Sequence, residues 1–286
     1  RDGTGTNMSG MSTLGAFALL YHGSVPDQVR ASLESLAAQT HRADHIAIVQ
    51  DGPVSPQLTE VIEGFAAEHP EATIVRLPRN VGGGLASAAG VDALSDDLIA
   101  RLDTDDIADP QRFEKQCAFL ERHPEVDILG TAMAEFEDSP DRVTAIRSLP
   151  ERHEELARYA KMSSPINHPS VMMRARAIHK AGNYRDVHYM EDYDLFARAL
   201  ATGARFHNLP EPLTYFRVSA AQFRRRTGRE MFAVERRMQR NLVSYGLIGK
   251  PRSWFNLAAR NTYRLLPLWL LRRAHAWLFH RKRSAH

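Results

Sequence analysis

Apolar runs alternate with helically spaced stretches along the first hundred positions. Gly15 to Tyr21 (Gly-Ala-Phe-Ala-Leu-Leu-Tyr) is unbroken enough to read as a buried strand. Pro26 then opens a helix in which Val29, Leu33 and Leu36 share one face. Ile46-Ala-Ile-Val49 predicts a second strand, ending at Gln50-Asp51-Gly52-Pro53. A second helix is expected from about Pro56 to Glu68, with Leu58, Val61, Ile62 and Phe65 on one side. Thr73 to Leu77 reads as a third strand, Asn80-Val-Gly-Gly-Gly84 as a glycine-rich turn before a small-residue helix, and Leu98 to Leu102 as a fourth strand. This alternation predicts an α/β fold with a wound, mainly parallel sheet flanked by helices. Ligands in such sheets lie outside the carboxyl ends of the strands. Tyr21, Asp51, Asn80, Asp103 and Asp105 all fall there.

Further along, Asp109-Pro110 reads as the N-cap and first position of a helix that turns Phe113, Cys117 and Leu120 inward. Val126 to Phe136 and Ser170 to Arg174 predict strands, and Glu151 to Met162 a helix. Pro165-Ile-Asn-His-Pro169 predicts a rigid loop. Glu191 begins a helix carrying Leu195, Ala199 and Leu200. Phe206 to Leu209 and Leu213 to Arg217 read as two short strands joined through Pro210 and Pro212. A helix from Arg229 carries Met231, Val234, Met238 and Leu242.

Charge changes the picture near the end. All 34 acidic residues occur by Glu235, whereas twelve of the 37 Lys and Arg follow it. The body is therefore acidic and the tail basic, although the net charge is only +3. Leu265 to Phe279 mixes apolar bulk with Arg272, Arg273 and His275, too short an apolar run to span a bilayer. It suits a basic amphipathic helix lying on an anionic membrane surface; a helix that completes the fold, or a homodimer contact, is the plainer alternative. Residues 1–10 read as an expression remnant or disordered end, 11–235 as the main domain and 236–286 as the tail. The single cysteine, Cys117, excludes an internal disulfide and fits a reducing compartment. No secretory leader is visible.

The candidate chemistry starts at Leu98-Ile-Ala-Arg-Leu-Asp-Thr-Asp-Asp-Ile107, an apolar strand ending in three acids. Such a cluster needs cations or polar partners. In extended chain, Asp103 and Asp105 point the same way and can share one ion, while Asp106 points elsewhere. Hard carboxylate oxygens suit Mg2+ or Mn2+. Simple capping of the next helix is the competing use, weakened because Asp109-Pro110 fills that role. Asp51-Gly52 alone could be an ordinary turn, and Glu191-Asp192 alone could be helix N-terminal charge.

Taken in order, these motifs resemble inverting family 2 glycosyltransferases with the GT-A fold, and within them bacterial exopolysaccharide enzymes of the amylovoran-biosynthesis type. The resemblance spans roughly residues 14 to 245. It rests on Ser35-Leu-Ala-Ala-Gln-Thr40, Asp51-Gly52, Asn80-Val-Gly, Asp103-Thr-Asp105-Asp106 and Glu191-Asp192 followed by Leu195 and Arg198. It implies that Tyr21 and Asp51 hold the nucleotide base, with Asn80, Gly82, Arg101 and Asp103 also on the nucleotide-sugar side. Asp105, with Asp103, would hold the metal that neutralises a departing diphosphate. Asp192 would be the general base, Glu191 its neighbour, and His168 part of an active-site or acceptor loop. Arg225 and Arg226, in Gln222-Phe-Arg-Arg-Arg226, would close over the donor diphosphate; Arg226 stands where processive members carry Trp. Ala86-Ser-Ala-Ala-Gly90 departs from the Arg-Asn or Leu-Asn of many relatives. The implied partners are a nucleotide-diphosphate sugar, namely a UDP-sugar, and a glycan acceptor on a polyprenyl diphosphate, with no nucleic acid. The implied location is the cytoplasmic face of the cell membrane. A nucleotidyltransferase acting on sugar phosphates would normally need a lysine-bearing phosphate loop, which Tyr21-His-Gly-Ser-Val-Pro26 does not offer. A non-catalytic membrane binder would not require the aspartates.

Overall fold

A computed structural model describes residues 12–218 and 230–265. β1 (Leu14–Tyr21), α1 (Pro26–Ala37), β2 (His45–Asp51), α2 (Pro56–Glu68), β3 (Ala72–Leu77), α3 (Gly83–Asp92) and β4 (Leu98–Asp103) follow the predicted alternation. These four strands are parallel, in the order β3-β2-β1-β4. The register sets Tyr21 beside Asp51, and Leu19 beside Asp103, so the polar strand ends share one edge.

The second half adds β5 (Ile107–Ala108), α4 (Arg112–Arg122), β6 (Ile128–Phe136), β7 (Ala145–Arg147), α5 (His153–Tyr159), β8 (Met172–Arg174), α6 (Ala175–Lys180), α7 (Glu191–Ala201) and β9 (Phe206–Arg217). The sheet continues from β4 through β8, β6 and β9 to β5, with β7 on β6. β8 is antiparallel to both of its neighbours. β5 follows β4 after three residues, yet lies four strands away in the sheet order. A flat sheet would need about 19 Å for that step, while the chain between Asp103 and Ile107 reaches only about 14 Å. The sheet must therefore curl, and the curl brings the end of β9 over the end of β4.

Alternate residues of β1 feed two cores. Leu14, Ala16, Ala18 and Leu20 pack with α1, α2 and α4, and Phe17 points to the side of α3, α6 and α7. A third cluster joins Met190, Tyr193 and Ala197 to Met238 and Leu242. The last two belong to α8 (Glu230–Ser244), which is followed by α9 (Lys250–Leu265).

Two predicted elements differ. The fourth helix starts at Arg112 with Gln111 as its cap residue, not at Asp109-Pro110. Asp109 instead closes a turn, its Oδ1 accepting from the Gln111 N–H at 3.0 Å. The two short strands are one, β9, because register shifts on its partner β6, between Thr131 and Met133, take up the irregularity around Pro210 and Pro212.

Candidate active site

The chain after β4 is a turn, closed by the Asp106 N–H donating to the Asp103 carbonyl at 3.0 Å. That corrects the expectation that Asp106 points away, since two-residue alternation holds only in extended chain. Ligand atoms of Asp103, Asp105 and Asp106 lie within 4.8 Å of one another. Thr104 Oγ1 donates to the Leu19 carbonyl at 2.9 Å, and Ser32 Oγ to the Asp103 carbonyl at 3.1 Å. The Arg217 N–H, at the end of β9, donates to Asp106 Oδ1 at 2.8 Å. β1, α1 and β9 thus hold one short turn.

The Ser35–Thr40 motif acquires a physical role here. Ser35 Oγ accepts from the Ala108 N–H at 3.0 Å. Gln39 donates to the Asp109 carbonyl at 2.8 Å and accepts from the Phe113 N–H at 3.0 Å. The motif clasps the segment leaving the acidic turn.

The three acids fit a divalent cation. Their oxygens are hard donors at separations one ion can bridge. Burial pushes the Asp106 carboxyl well above its ordinary range, with Asp105 and Asp103 adding to the effect. Its buried Oδ2 has no hydrogen-bond partner.

Asp103 is oriented from behind by Arg101, whose Nη2 and Nε donate to its Oδ1 at 2.7 and 3.0 Å. Arg101 Nη1 donates to Ser87 Oγ at 2.6 Å, and Ser87 donates to the Gly83 carbonyl at 2.6 Å. Ser87 lies in the stretch where this chain departs from the family pattern. Its hydroxyl ties the first turn of α3 to the guanidinium. Asp51 is also committed to the glycine turn: its Oδ1 and Oδ2 accept from the Val81 and Gly82 N–H groups at 2.7 and 3.1 Å. Gly82 stands at φ +88°, where other residues are strained. A Cβ on Gly84 would press into the Arg185 carbonyl, so α3 lies directly against the segment leading to Glu191.

These residues line two adjoining cavities. Tyr21, Asp51, Asn80, Gly82, Arg101, Asp103, Asp105 and Glu191 line the larger, of about 620 Å³. His168 and Asp192 line the smaller, of about 320 Å³. Asp103, Tyr189 and Phe216 border both. Burial, with help from Asp192, pushes the Glu191 carboxyl up to about 7. Burial also raises Asp192, opposed by hydrogen bonds from the Tyr193 N–H and Ser164, whose Oγ donates to Asp192 Oδ2 at 3.1 Å. His168 Nε2 pairs with Tyr184 Oη at 2.8 Å, and burial, with Arg101 nearby, holds the imidazole well below its usual range and therefore neutral. His207 stacks on Phe119 with centroids 4.6 Å apart, a packing role. Arg225 and Arg226 lie outside the described residues, as does the tail beyond residue 265.

The sequence reading missed Ser87, Ser164, Tyr189 and Arg217. Ser87, Ser164 and Arg217 act through partners at least fourteen positions away, and Tyr189 is marked only by its backbone conformation, so no local spacing reveals them. It also missed the bracing of α7. Asp194 is fully buried and accepts from Arg198 Nε at 2.8 Å, Asn241 Nδ2 at 2.8 Å and Tyr245 Oη at 2.7 Å. From α9, Asn256 Nδ2 donates to the Lys161 carbonyl at 2.7 Å, and Arg260 Nη1 to the Met162 carbonyl at 2.7 Å. The charge boundary at residues 235/236 thus falls inside α8, a helix packed on the catalytic body.

A curled, mainly parallel sheet with an acidic turn at its carboxyl edge is the GT-A architecture. Solved structures agree: S. aureus TarS 1-349 in complex with UDP-GlcNAc aligns with TM-score 0.64 at 15% identity, over 93% of this chain and 75% of that one. A mannosyltransferase from Pyrobaculum calidifontis in complex with GDP-Man and Mn2+ aligns with TM-score 0.60 at 15% identity, over 94% and 75%. The sequence model of glycosyl transferase family 2 matches residues 21–182, and the chain belongs to that family. It is 37% identical to an uncharacterized glycosyltransferase of Haemophilus influenzae over 89% of this chain and 94% of the relative. It is 35% identical to the amylovoran biosynthesis glycosyltransferase AmsE of Erwinia amylovora (87% and 92% covered). It is 30% identical to the UDP-Gal:alpha-D-GlcNAc-diphosphoundecaprenol beta-1,3-galactosyltransferase of Escherichia coli (82% and 85% covered). The chain is a glycosyltransferase with relatives in bacterial polysaccharide synthesis.

Proposed function

We propose that this chain transfers one sugar, with inversion, from a UDP-sugar to a hydroxyl of a lipid-linked glycan. The observation that carries this reading is the pair of cavities meeting at Asp103, one bearing the acidic turn and the other Asp192. The UDP donor is supported by the UDP-GlcNAc complex of TarS and the name of the E. coli relative, and the lipid-linked acceptor by that relative's name.

In this reading the larger cavity takes the nucleotide diphosphate. Asp103 and Asp105, with Asp106 beside them, would hold Mn2+ or Mg2+, which offsets charge on the departing diphosphate. Asp192 takes the proton of the acceptor hydroxyl as its oxygen bonds to the anomeric carbon. The carbon–oxygen bond to the diphosphate breaks on the opposite face, leaving the electron pair on the diphosphate. Burial makes Asp192 a stronger base than an exposed aspartate, while hydrogen bonds from the Tyr193 N–H and Ser164 favour its charged form. Arg101 fixes Asp103 for this task.

Work at a membrane face is supported by α9, where Trp254 and Phe255 are 73% and 58% exposed beside Arg252. No helix among the described residues is long and apolar enough to cross a bilayer.

The deciding experiment is a donor screen across UDP-, GDP- and dTDP-sugars with added Mn2+, repeated with Asp192→Asn and Asp105→Ala. Transfer from UDP-sugars, lost in the first variant, and Mn2+-dependent UDP binding, lost in the second, are expected. Wild-type turnover in Asp192→Asn would remove it as base, and unchanged UDP binding in Asp105→Ala would sink the metal assignment. Trp254→Ser with Phe255→Ser should weaken sedimentation with anionic vesicles; unchanged binding would refute the membrane role of α9.

A further inference from the structure

Tyr189 occupies a backbone position that suits glycine. The Met190 N–H donates to the Val187 carbonyl at 2.9 Å, closing a four-residue turn. Within it φ is +61° at Tyr189, and His188 is not among the positive-φ residues. That is the type II pattern, whose third position favours Gly or Asn. A bulky aromatic there is strained.

Packing does not explain the choice. Val187 and Met190, on either side, are 3% and 5% exposed and anchor the turn in the third core cluster. Tyr189 itself is 41% exposed, among the few large apolar side chains on the surface. A glycine would close the same turn without strain. What the ring does have is a place: it borders both cavities, two residues before Glu191. His188 lies against it with centroids 3.9 Å apart.

The smaller cavity has a mixed wall. Asp103, Arg147, Asp192, Ser164 and Asn167 supply polar groups, while Met133, Ile166 and Met231 supply apolar surface. A pyranose has the matching character, with hydroxyls at its rim and C–H groups on its faces. The larger cavity, with its acids and glycine turn, suits a charged diphosphate instead. An aromatic face at the mouth of the smaller cavity gives apolar contact at little conformational cost, because Tyr has only two rotatable side-chain angles. We propose that Tyr189 is the stacking platform for the acceptor sugar, holding its ring so that one hydroxyl faces Asp192. The inference rests on the glycosyl-transfer reading above and adds the residue that recognises the acceptor.

The test compares Tyr189→Phe, Tyr189→Leu and Tyr189→Gly in the full chain. The probes are the UDP-sugar hydrolysed fastest by wild type and a panel of decyl-diphosphate-linked monosaccharides as acceptors. Tyr189→Gly should melt no lower than wild type, since the turn loses its strain. Its acceptor KM should rise by about tenfold, the loss of one aromatic contact, and by more than its donor KM does. Tyr189→Leu should lose acceptor affinity in the same way, and Tyr189→Phe should keep it. An unchanged acceptor KM in Tyr189→Gly would overturn this inference alone. So would a donor KM that rises in parallel, because the ring would then belong to the donor side. No UDP-sugar turnover by wild type would overturn the glycosyl-transfer reading, and this inference with it.

Discussion

Asp194→Asn removes one charge from a site closed to water. Asp194 is fully buried, and its ion-pair partner Arg198 is 4% exposed. The carboxylate accepts three hydrogen bonds, from Arg198, Asn241 and Tyr245. Arg198 also donates to the Ala181 carbonyl, so it has no route to solvent when the carboxylate is lost. An asparagine of the same size offers one acceptor oxygen and turns an N–H₂ group toward donors. Breaking one side of a buried pair costs about 3–5 kcal/mol. For a chain of this size, that lowers the melting temperature by roughly 6–20 °C, at about 2–4 °C per kcal/mol. The double variant Asp194→Leu with Arg198→Met should recover part of the loss, because no buried charge is left unpaired. The effect should also reach catalysis. Asp192, the proposed base, lies two residues earlier on the same helix, and displacement of a reacting group by about 1 Å can cost about 100-fold. Transfer rates measured well below the variant's melting temperature should therefore fall, with the fold intact by circular dichroism. A melting temperature within about 2 °C of wild type would refute the reasoning, since a buried pair cannot be halved at so small a cost.

Glu191 sits at about 7 in the folded chain against 4.5 in the unfolded one. Between those values the folded state keeps a proton that the unfolded state has released, so stability falls as pH rises through this window, by at most about 3 kcal/mol. Glu191→Gln should remove that slope in urea unfolding; parallel pH profiles for the two proteins would count against it. Ser164→Ala removes a hydrogen bond that favours the Asp192 carboxylate. The acidic limb of the pH–rate profile should move to higher pH, and an unmoved limb would disconnect Ser164 from the base. Gly84→Ala, favourable in most helices, should here cost about 1–3 kcal/mol, because its methyl meets the Arg185 carbonyl. A gain in melting temperature would contradict the close approach of α3 to that segment.

Much of the fold was legible because its signals are local. β1 is apolar along its length since both faces are covered, and α2 was bounded by Pro56 and its apolar spacing. β5 and β7 were not legible: at two and three residues they are too short to show a period and exist only through their partners. Asp106 departs from the two-residue alternation because the chain turns after Asp103. The site itself was read as a set of strand ends and motifs. What orients those motifs was hidden. Ser87 meets Arg101 across a helix–strand contact, Arg217 meets Asp106 only after the sheet curls, and Asn241 meets Asp194 forty-seven positions away. Hydrogen bonds of this kind carry no composition or period.

The dependence of α7 on Asn241 and Tyr245 has a consequence in time. A ribosome adds about 5–20 residues per second, so several seconds pass between the synthesis of Asp194 and that of Tyr245. During that interval the helix carrying Asp192 lacks Asn241 and Tyr245, and the apolar face of Met190, Tyr193 and Ala197 is bare. Asp192, the proposed base, therefore gains its full support only once the chain has been made as far as Tyr245.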